Sequence, residues 1–140
     1  MSITTTTHLN FRNSAREALA FYASAFGGEP VIATHAQAYP SFPPEEADLV
    51  AFGQLQSPNG FSIMAYDVPA ARPYDAGIAP IFVSIRGNDE GELTRYWNGL
   101  LDGATIIQPL APSGWTPLFG MLTDRFGVTF VLDIAVAYAG

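Results

Sequence analysis

The 140-residue chain contains no cysteine and no lysine, and only two histidines. Without cysteine there are no disulfides, no thiolate nucleophile and no cysteine-bound zinc. Without lysine there is no Schiff-base chemistry and no P-loop. All six basic residues are arginines, set against 13 acids, for a net charge of −7. Such a chain gains nothing from counterion release along a phosphate backbone, so no nucleic-acid partner is expected. No apolar run reaches the ~18 residues that a membrane span needs. The opening residues, MSITTTT, lack the basic start and apolar core of a signal peptide. The expectation is a cytoplasmic protein with no membrane partner.

What is present is a well-furnished core. Hydrophobic residues make up 49% of the chain and aromatics 13%, enough for one folded domain. Within it a twelve-residue pattern occurs twice, 67 positions apart. Phe52, Gly53, Gln54 and Leu55, then four spacers, then Gly60, Phe61, Ser62 and Ile63 are echoed by Phe119, Gly120, Met121 and Leu122, four spacers, then Gly127, Val128, Thr129 and Phe130. Four positions are identical and three more are close exchanges. The chain therefore reads as two copies of a smaller unit, with module 1 at about 4–67 and module 2 at about 78–139.

Hydrophobic periodicity fills in each copy. In the first, residues 5–12 alternate as a half-buried strand. Asn13 or Ser14 then supplies an N-cap, with Glu17 in capping-box position, before a helix through Leu19, Tyr22 and Phe26 that ends at Gly27 and Gly28. Residues 31–38 read as a second strand, 39–46 as a proline-rich loop, and 49–56 with 61–66 as a hairpin turning through Ser57, Pro58, Asn59 and Gly60. In the second copy, residues 81–85 form a strand, Asp89 caps a helix through Leu93, Trp97 and Leu100, and Gly103 stops it. Residues 105–108 form a short strand, 109–117 a loop, and 118–123 with 128–133 the second hairpin. The helix-ending glycines Gly28 and Gly103 lie 75 apart, against 67 for the hairpins, so the first copy carries 75 − 67 = 8 extra residues, assigned to the 39–46 loop. Each unit reads strand, helix, strand, strand, strand.

Successive residues of a strand face opposite sides, and this separates two surfaces. Leu9, Phe11, Phe61, Ile63, Ala65, Ile81, Val83, Ile85, Val128, Phe130 and Leu132 form an apolar face suited to packing under the helices. The other face mixes His8, Asn10, Arg12, Ser62, Met64 and Tyr66 with Pro80, Phe82, Ser84, Arg86, Thr129, Val131 and Asp133. The hairpin partners add Phe52 and Gln54 in one copy, Phe119 and Met121 in the other. A face this rich in aromatics points to the lining of a cavity or an interface.

Two segments carry a resemblance to a known family: residues 13–29 (NSAREALAFYASAFGGE), and Trp115 followed by residues 119–128 (FGMLTDRFGV). With the paired βαβββ order they resemble the vicinal oxygen chelate superfamily of glyoxalases, extradiol dioxygenases and bleomycin-resistance-type drug binders, and within it the PhnB-like group. The resemblance covers nearly the whole chain. It implies an α+β fold of two tandem βαβββ modules forming a curved mixed sheet around a cavity, with helices on the outer face, and a homodimer. Catalytic members of the superfamily hold a divalent metal at four strand positions, which carry over here to His8, Met64, Pro80 and Val131. Only His8 is a ligand type for such an ion, so no metal and no other cofactor is expected. PhnB-like proteins also carry a methyltransferase-like label, against which stands the lack of a glycine-rich nucleotide-binding motif.

The expected function is then metal-independent binding of a small, partly aromatic molecule. His8, Asn10, Gln54, Tyr66 and Ser84 are the expected hydrogen-bonding residues. Phe52, Phe82, Trp115 and Phe119 supply flat apolar area, with Met64 and Met121 beside them. His8 is the one candidate catalytic base, and the plain alternative for it is a half-exposed strand histidine. His35 and the Asp124–Arg125 turn are expected to be structural. Asp133 is expected either to meet a cationic ligand or to finish its strand. Two other readings stay open: a glyoxalase-type lyase, isomerase or dioxygenase with a divergent metal site, and a structural dimeric module with a closed cavity.

Overall fold

Alternating apolar positions and two amphipathic helices build two units, Met1–Gly77 and Ile78–Gly140, in a computed structural model that describes residues 2–135. Residues 136–139 of the expected second module lie outside the described residues. The α+β class and the two βαβββ units are as expected, and the strands hydrogen-bond into two four-stranded sheets, one per unit. Among the described residues no helix is long and apolar enough to cross a membrane.

In the first unit β1 (Thr7–Phe11) leads into helix α1 (Ala15–Phe26), followed by β2 (Val31–Thr34), α2 (His35–Ala38), a 3-10 turn (Pro44–Glu46), β3 (Val50–Gln56) and β4 (Ser62–Asp67). The sheet order is β1-β4-β3-β2, with β1 parallel to β4 and the other pairs antiparallel. The second unit repeats this with β5 (Phe82–Gly87), α3 (Glu90–Leu100), β6 (Thr105–Ala111), β7 (Phe119–Thr123) and β8 (Thr129–Ile134), in the order β5-β8-β7-β6. Side-chain alternation holds in the main: Leu9, Phe11, Ile63, Ala65, Val83, Phe130 and Leu132 are buried, Phe61, Ile85 and Val128 are half-buried, and Thr129 and Asp133 of the opposite face are buried as well. Each helix packs against strands of its own sheet.

Four local readings are corrected. The second strand does not reach Ala38. Thr34 ends it by forming a capping box, its Oγ1 accepting from the Gln37 amide at 3.3 Å while Gln37 Oε1 accepts from the Thr34 amide at 2.9 Å. Ser14 stands at the N-cap of α1 but its side chain makes no capping bond, and Asn13 takes a positive φ of 70°. A residue from the far end of the unit does the capping: Asp67 Oδ1 accepts from the Ala15 amide at 2.9 Å. The fifth strand begins at Phe82 rather than Ile81, which is 56% exposed. Finally, β6 continues through Pro109 to Ala111, because an edge strand can leave one amide position without a ladder bond. In contrast, Asp89 caps α3 as expected, its Oδ2 accepting from the Glu92 amide at 2.9 Å.

Candidate functional site

In the first unit, strand register brings the expected residues onto one face. His8 lies opposite Met64 and Asn10 opposite Tyr66 on the parallel β1–β4 pair. Gln54 lies opposite Met64 on the other side, and Phe52, two residues from Gln54, shares its face. Three of these residues touch. His8 Nδ1 is 3.1 Å from Asn10 Oδ1, and the His8 ring stands edge-on to Tyr66 with centroids 5.3 Å apart. When Nδ1 carries the proton donated to that amide oxygen, Nε2 of the neutral ring is left as a lone-pair nitrogen. Asn10 is fixed in turn, its backbone carbonyl accepting from the Tyr74 hydroxyl at 2.8 Å. Tyr74 packs under the Arg12 guanidinium at 5.4 Å, and Arg12 donates to the carbonyls of Pro69 and Arg72. The segment that follows β4 is thus strapped to the end of β1. Gln54 makes no side-chain hydrogen bond among the described residues.

The second unit presents a differently charged version of the same face. Ser84 lies opposite Val131, and Val131 opposite Met121. One row on, Arg86 pairs with Asp133 and Asp133 with Phe119. Arg86 Nε donates to Asp133 Oδ1 at 3.0 Å, so Asp133 is engaged by an arginine of its own sheet. Of the two roles left open for Asp133, a cationic ligand contact or a strand-end role, the structure shows a contact with Arg86 at the strand end. Phe82 is 51% exposed at the start of β5, opposite Thr129. Trp115, 61% exposed, stands edge-on to Phe119 at 4.8 Å. The loop presenting Trp115 is anchored next door, where the buried Thr116 hydroxyl donates to the Ile134 carbonyl at 2.8 Å.

The same register tests the family metal positions. Met64 and Val131 are equivalent by the 67-residue repeat, and the partner of Met64 is His8. The partner of Val131 is Ser84, so Ser84 is the counterpart of His8, and the carry-over to Pro80 is corrected: Pro80 precedes β5 altogether. The four positions therefore hold an imidazole, a thioether, a hydroxyl and an isopropyl group. That donor set does not fit a hard or borderline divalent ion. Among the described residues there is also no group of three or more His, Cys, Asp or Glu able to hold one. A nucleotide-type methyl donor fits no better. Gly60 and Gly127 lie in hairpin turns, and Gly53 and Gly120 sit inside strands against helix side chains, so neither strand-to-helix turn has a glycine-rich cradle.

Several polar residues that sequence reasoning passed over or set aside prove to be structural. Asp67 is 2% exposed and accepts from the Ala15 amide and, through Oδ2, from the Val50 amide at 3.0 Å. His35 is wholly buried at the start of α2, its Nε2 3.2 Å from the Asp67 carbonyl. Buried Glu46 accepts from the Ala70 amide at 3.0 Å. Asp124 Oδ1 accepts from the amides of Phe126 and Val128, both at 2.9 Å, closing the second hairpin turn with Gly127 at φ +87°.

Two four-stranded βαβββ units with this residue pattern define the glyoxalase/bleomycin-resistance/dioxygenase class of folds. Residues 3–132 match the model of the 3-demethylubiquinone-9 3-methyltransferase family, and the chain belongs to that PhnB-like family. It is similar to protein PA1353 from Pseudomonas aeruginosa, at 30% identity and a TM-score of 0.84 over 95% of this chain and 98% of that one. It also resembles a PhnB protein from Bacillus cereus bearing the same methyltransferase designation, at 26% identity and a TM-score of 0.75 over 95% and 100% of the two chains. A glyoxylase/bleomycin resistance protein/dioxygenase domain from Frankia shares the fold at 13% identity, with a TM-score of 0.67 over 97% and 99%. None of the curated proteins compared matches the chain.

Proposed function

We propose that this protein binds a small, partly aromatic molecule on the polar and aromatic sheet faces of its units, without a metal. One observation carries the reading. The family metal positions hold Met64, Ser84 and Val131, yet the side chains around them keep the make-up of a binding surface. His8, Asn10 and Tyr66 form a preorganised polar group. Trp115 and Phe119 form an aromatic corner, a large contact area held at low entropy cost. Gln54 and Ser84 retain free hydrogen-bonding capacity, and Phe52, Phe82 and Met121 supply apolar area. A cytoplasmic homodimer is part of the same proposal and rests on the family resemblance.

The methyltransferase designation of the family and of the Bacillus cereus relative does not carry over in this reading, because the glycines that a nucleotide-type donor needs are placed in hairpins and strands. A second reading is favoured by one contact. Asn10 Oδ1 lies 3.1 Å from His8 Nδ1, and in the tautomer that donates from Nδ1 the other ring nitrogen keeps its lone pair, the arrangement of a general base held by a second residue. Calorimetry and thermal-shift measurements with planar aromatic compounds test the first reading: saturable binding that stabilises the fold supports it, and no stabilisation by any compound overturns it. Turnover of a bound compound that is lost in His8→Gln, with binding retained, selects the second.

A further inference from the structure

At one matching row of strand residues the two copies of the unit differ in charge. In the first unit the row is Asn10 opposite Tyr66, and in the second it is Arg86 opposite Asp133. Only the second carries charge. Arg86 spends one nitrogen on the pair: Nε donates to Asp133 Oδ1 at 3.0 Å. Neither Nη1 nor Nη2 donates a hydrogen bond among the described residues, and the side chain is 50% exposed, against 11% for Asp133. The guanidinium is therefore fixed at its inner edge and open at its outer edge. A planar fork of donors in that state matches the two oxygens of a carboxylate. Asp133 is also the register partner of Phe119, and Phe119 carries Trp115 edge-on at 4.8 Å. An oriented guanidinium and an aromatic corner thus share one end of one sheet face.

The geometry points to a planar carboxylate as the ligand class of this protein, with the carboxylate on the outer edge of Arg86 and the ring against Phe119 and Trp115. This rests on the binding reading above and gives it a charge sign. Among the described residues Arg86 is the one arginine placed by strand register in the row of Phe119, whereas Arg72 lies in a loop and Arg95 on α3 over Tyr96. Arg12 is committed to two carbonyls and Tyr74, Arg16 donates to the Asp48 carbonyl, and Arg125 faces Asp102. The chain as a whole carries −7, so general electrostatic attraction does not draw anions to it. A preference for an acid over its neutral analogue requires direct contact with a chosen cation.

The test uses three acid and amide pairs on the full chain: benzoate, 4-hydroxybenzoate and 2-naphthoate against the corresponding primary amides, followed by calorimetry and by the NMR signal of the Trp115 indole. Each acid is expected to bind about tenfold more tightly than its amide, the gain of a charge-assisted pair. The preference is expected to vanish in Arg86→Gln/Asp133→Asn, a double variant that leaves no unpaired buried charge, and to shrink in Arg86→Lys, which keeps the charge but loses the fork. Equal affinity for acids and amides, or a preference that survives in the double variant, overturns this inference and leaves the binding reading standing. Failure of every acid and every amide to bind overturns both.

Discussion

Gly120 of β7 lies directly beneath Trp97 of α3: a methyl group at the glycine would come within 2.8 Å of Trp97 Cζ3 and 3.0 Å of Leu110 Cα. The repeat places Gly53 in the same role, where a methyl group would meet Leu19 Cδ1 of α1 at 2.5 Å and the Ala65 carbonyl oxygen at 2.8 Å. The Phe-Gly-x-Leu echo is thus a packing device, since the helix of each unit approaches its sheet at the glycine. Overpacking a closed core costs about 1–3 kcal/mol. Gly53→Ala and Gly120→Ala should each lower unfolding free energy by about 2 kcal/mol in urea titrations. Gly60→Ala is the contrast, because its position is open but its φ is +100°, so backbone strain rather than crowding sets a smaller loss.

Asp67 receives two backbone amides in a buried place, one from the first residue of α1 and one from the first residue of β3. Asp67→Ala should destabilise the fold by about 3 kcal/mol, since two buried donors lose a charged acceptor. Ser14→Ala should change stability by less than about 0.5 kcal/mol, far below the value of an ordinary N-cap. Chemical denaturation of the two variants side by side checks the pair, and equal losses would return the cap to Ser14.

For the metal positions, protein purified without chelators should contain no stoichiometric nickel, zinc, iron or manganese by elemental analysis. Titration with zinc or nickel should give no His8-dependent affinity tighter than about 10 μM, since one imidazole beside a thioether, a hydroxyl and an isopropyl group makes a poor donor set. Micromolar binding abolished by His8→Ala would contradict this.

The two tryptophans report separately. Trp97 is 5% exposed and Trp115 is 61% exposed. A ligand covering Trp115 and Phe119 should shift the emission of the exposed indole to the blue and leave that of Trp97 unchanged. Trp115→Phe should abolish the change, and Phe119→Ala should weaken binding about tenfold, the value of one aromatic contact.

Element order, the apolar face and both hairpins were readable from periodicity and from the repeat, because strand parity and turn glycines act over a few residues. The row containing His8, Met64 and Gln54 followed from the same parity. Contacts made by distant residues were not readable. Nothing near residue 14 signals that α1 is capped from residue 67, and the Ser14/Glu17 spacing was a local pattern with a better competitor. Thr34 and Gln37 do carry a capping-box spacing, the local signal that marks the end of the second strand. The carry-over to Pro80 failed for a geometric reason. A proline just ahead of a strand resembles its first residue in sequence, and only pairing with Val131 shows that Ser84 holds the matching place. Parity placed Arg86 and Asp133 on one face, but their pairing was hidden, since they are 47 residues apart in the chain.

The two helices differ in when their first turns can be completed during synthesis. Asp89 stands immediately ahead of α3 and is already present when that helix leaves the ribosome. Helix α1 emerges with the Ala15 amide open and waits for Asp67, 52 residues later. A chain stalled before residue 67 therefore holds a first helix without its cap and a β3 without its anchor at Val50. The first unit is the earlier one to be translated, yet it depends on its own last strand residue to close, so its exposure to proteases and to aggregation extends across nearly its whole length of synthesis.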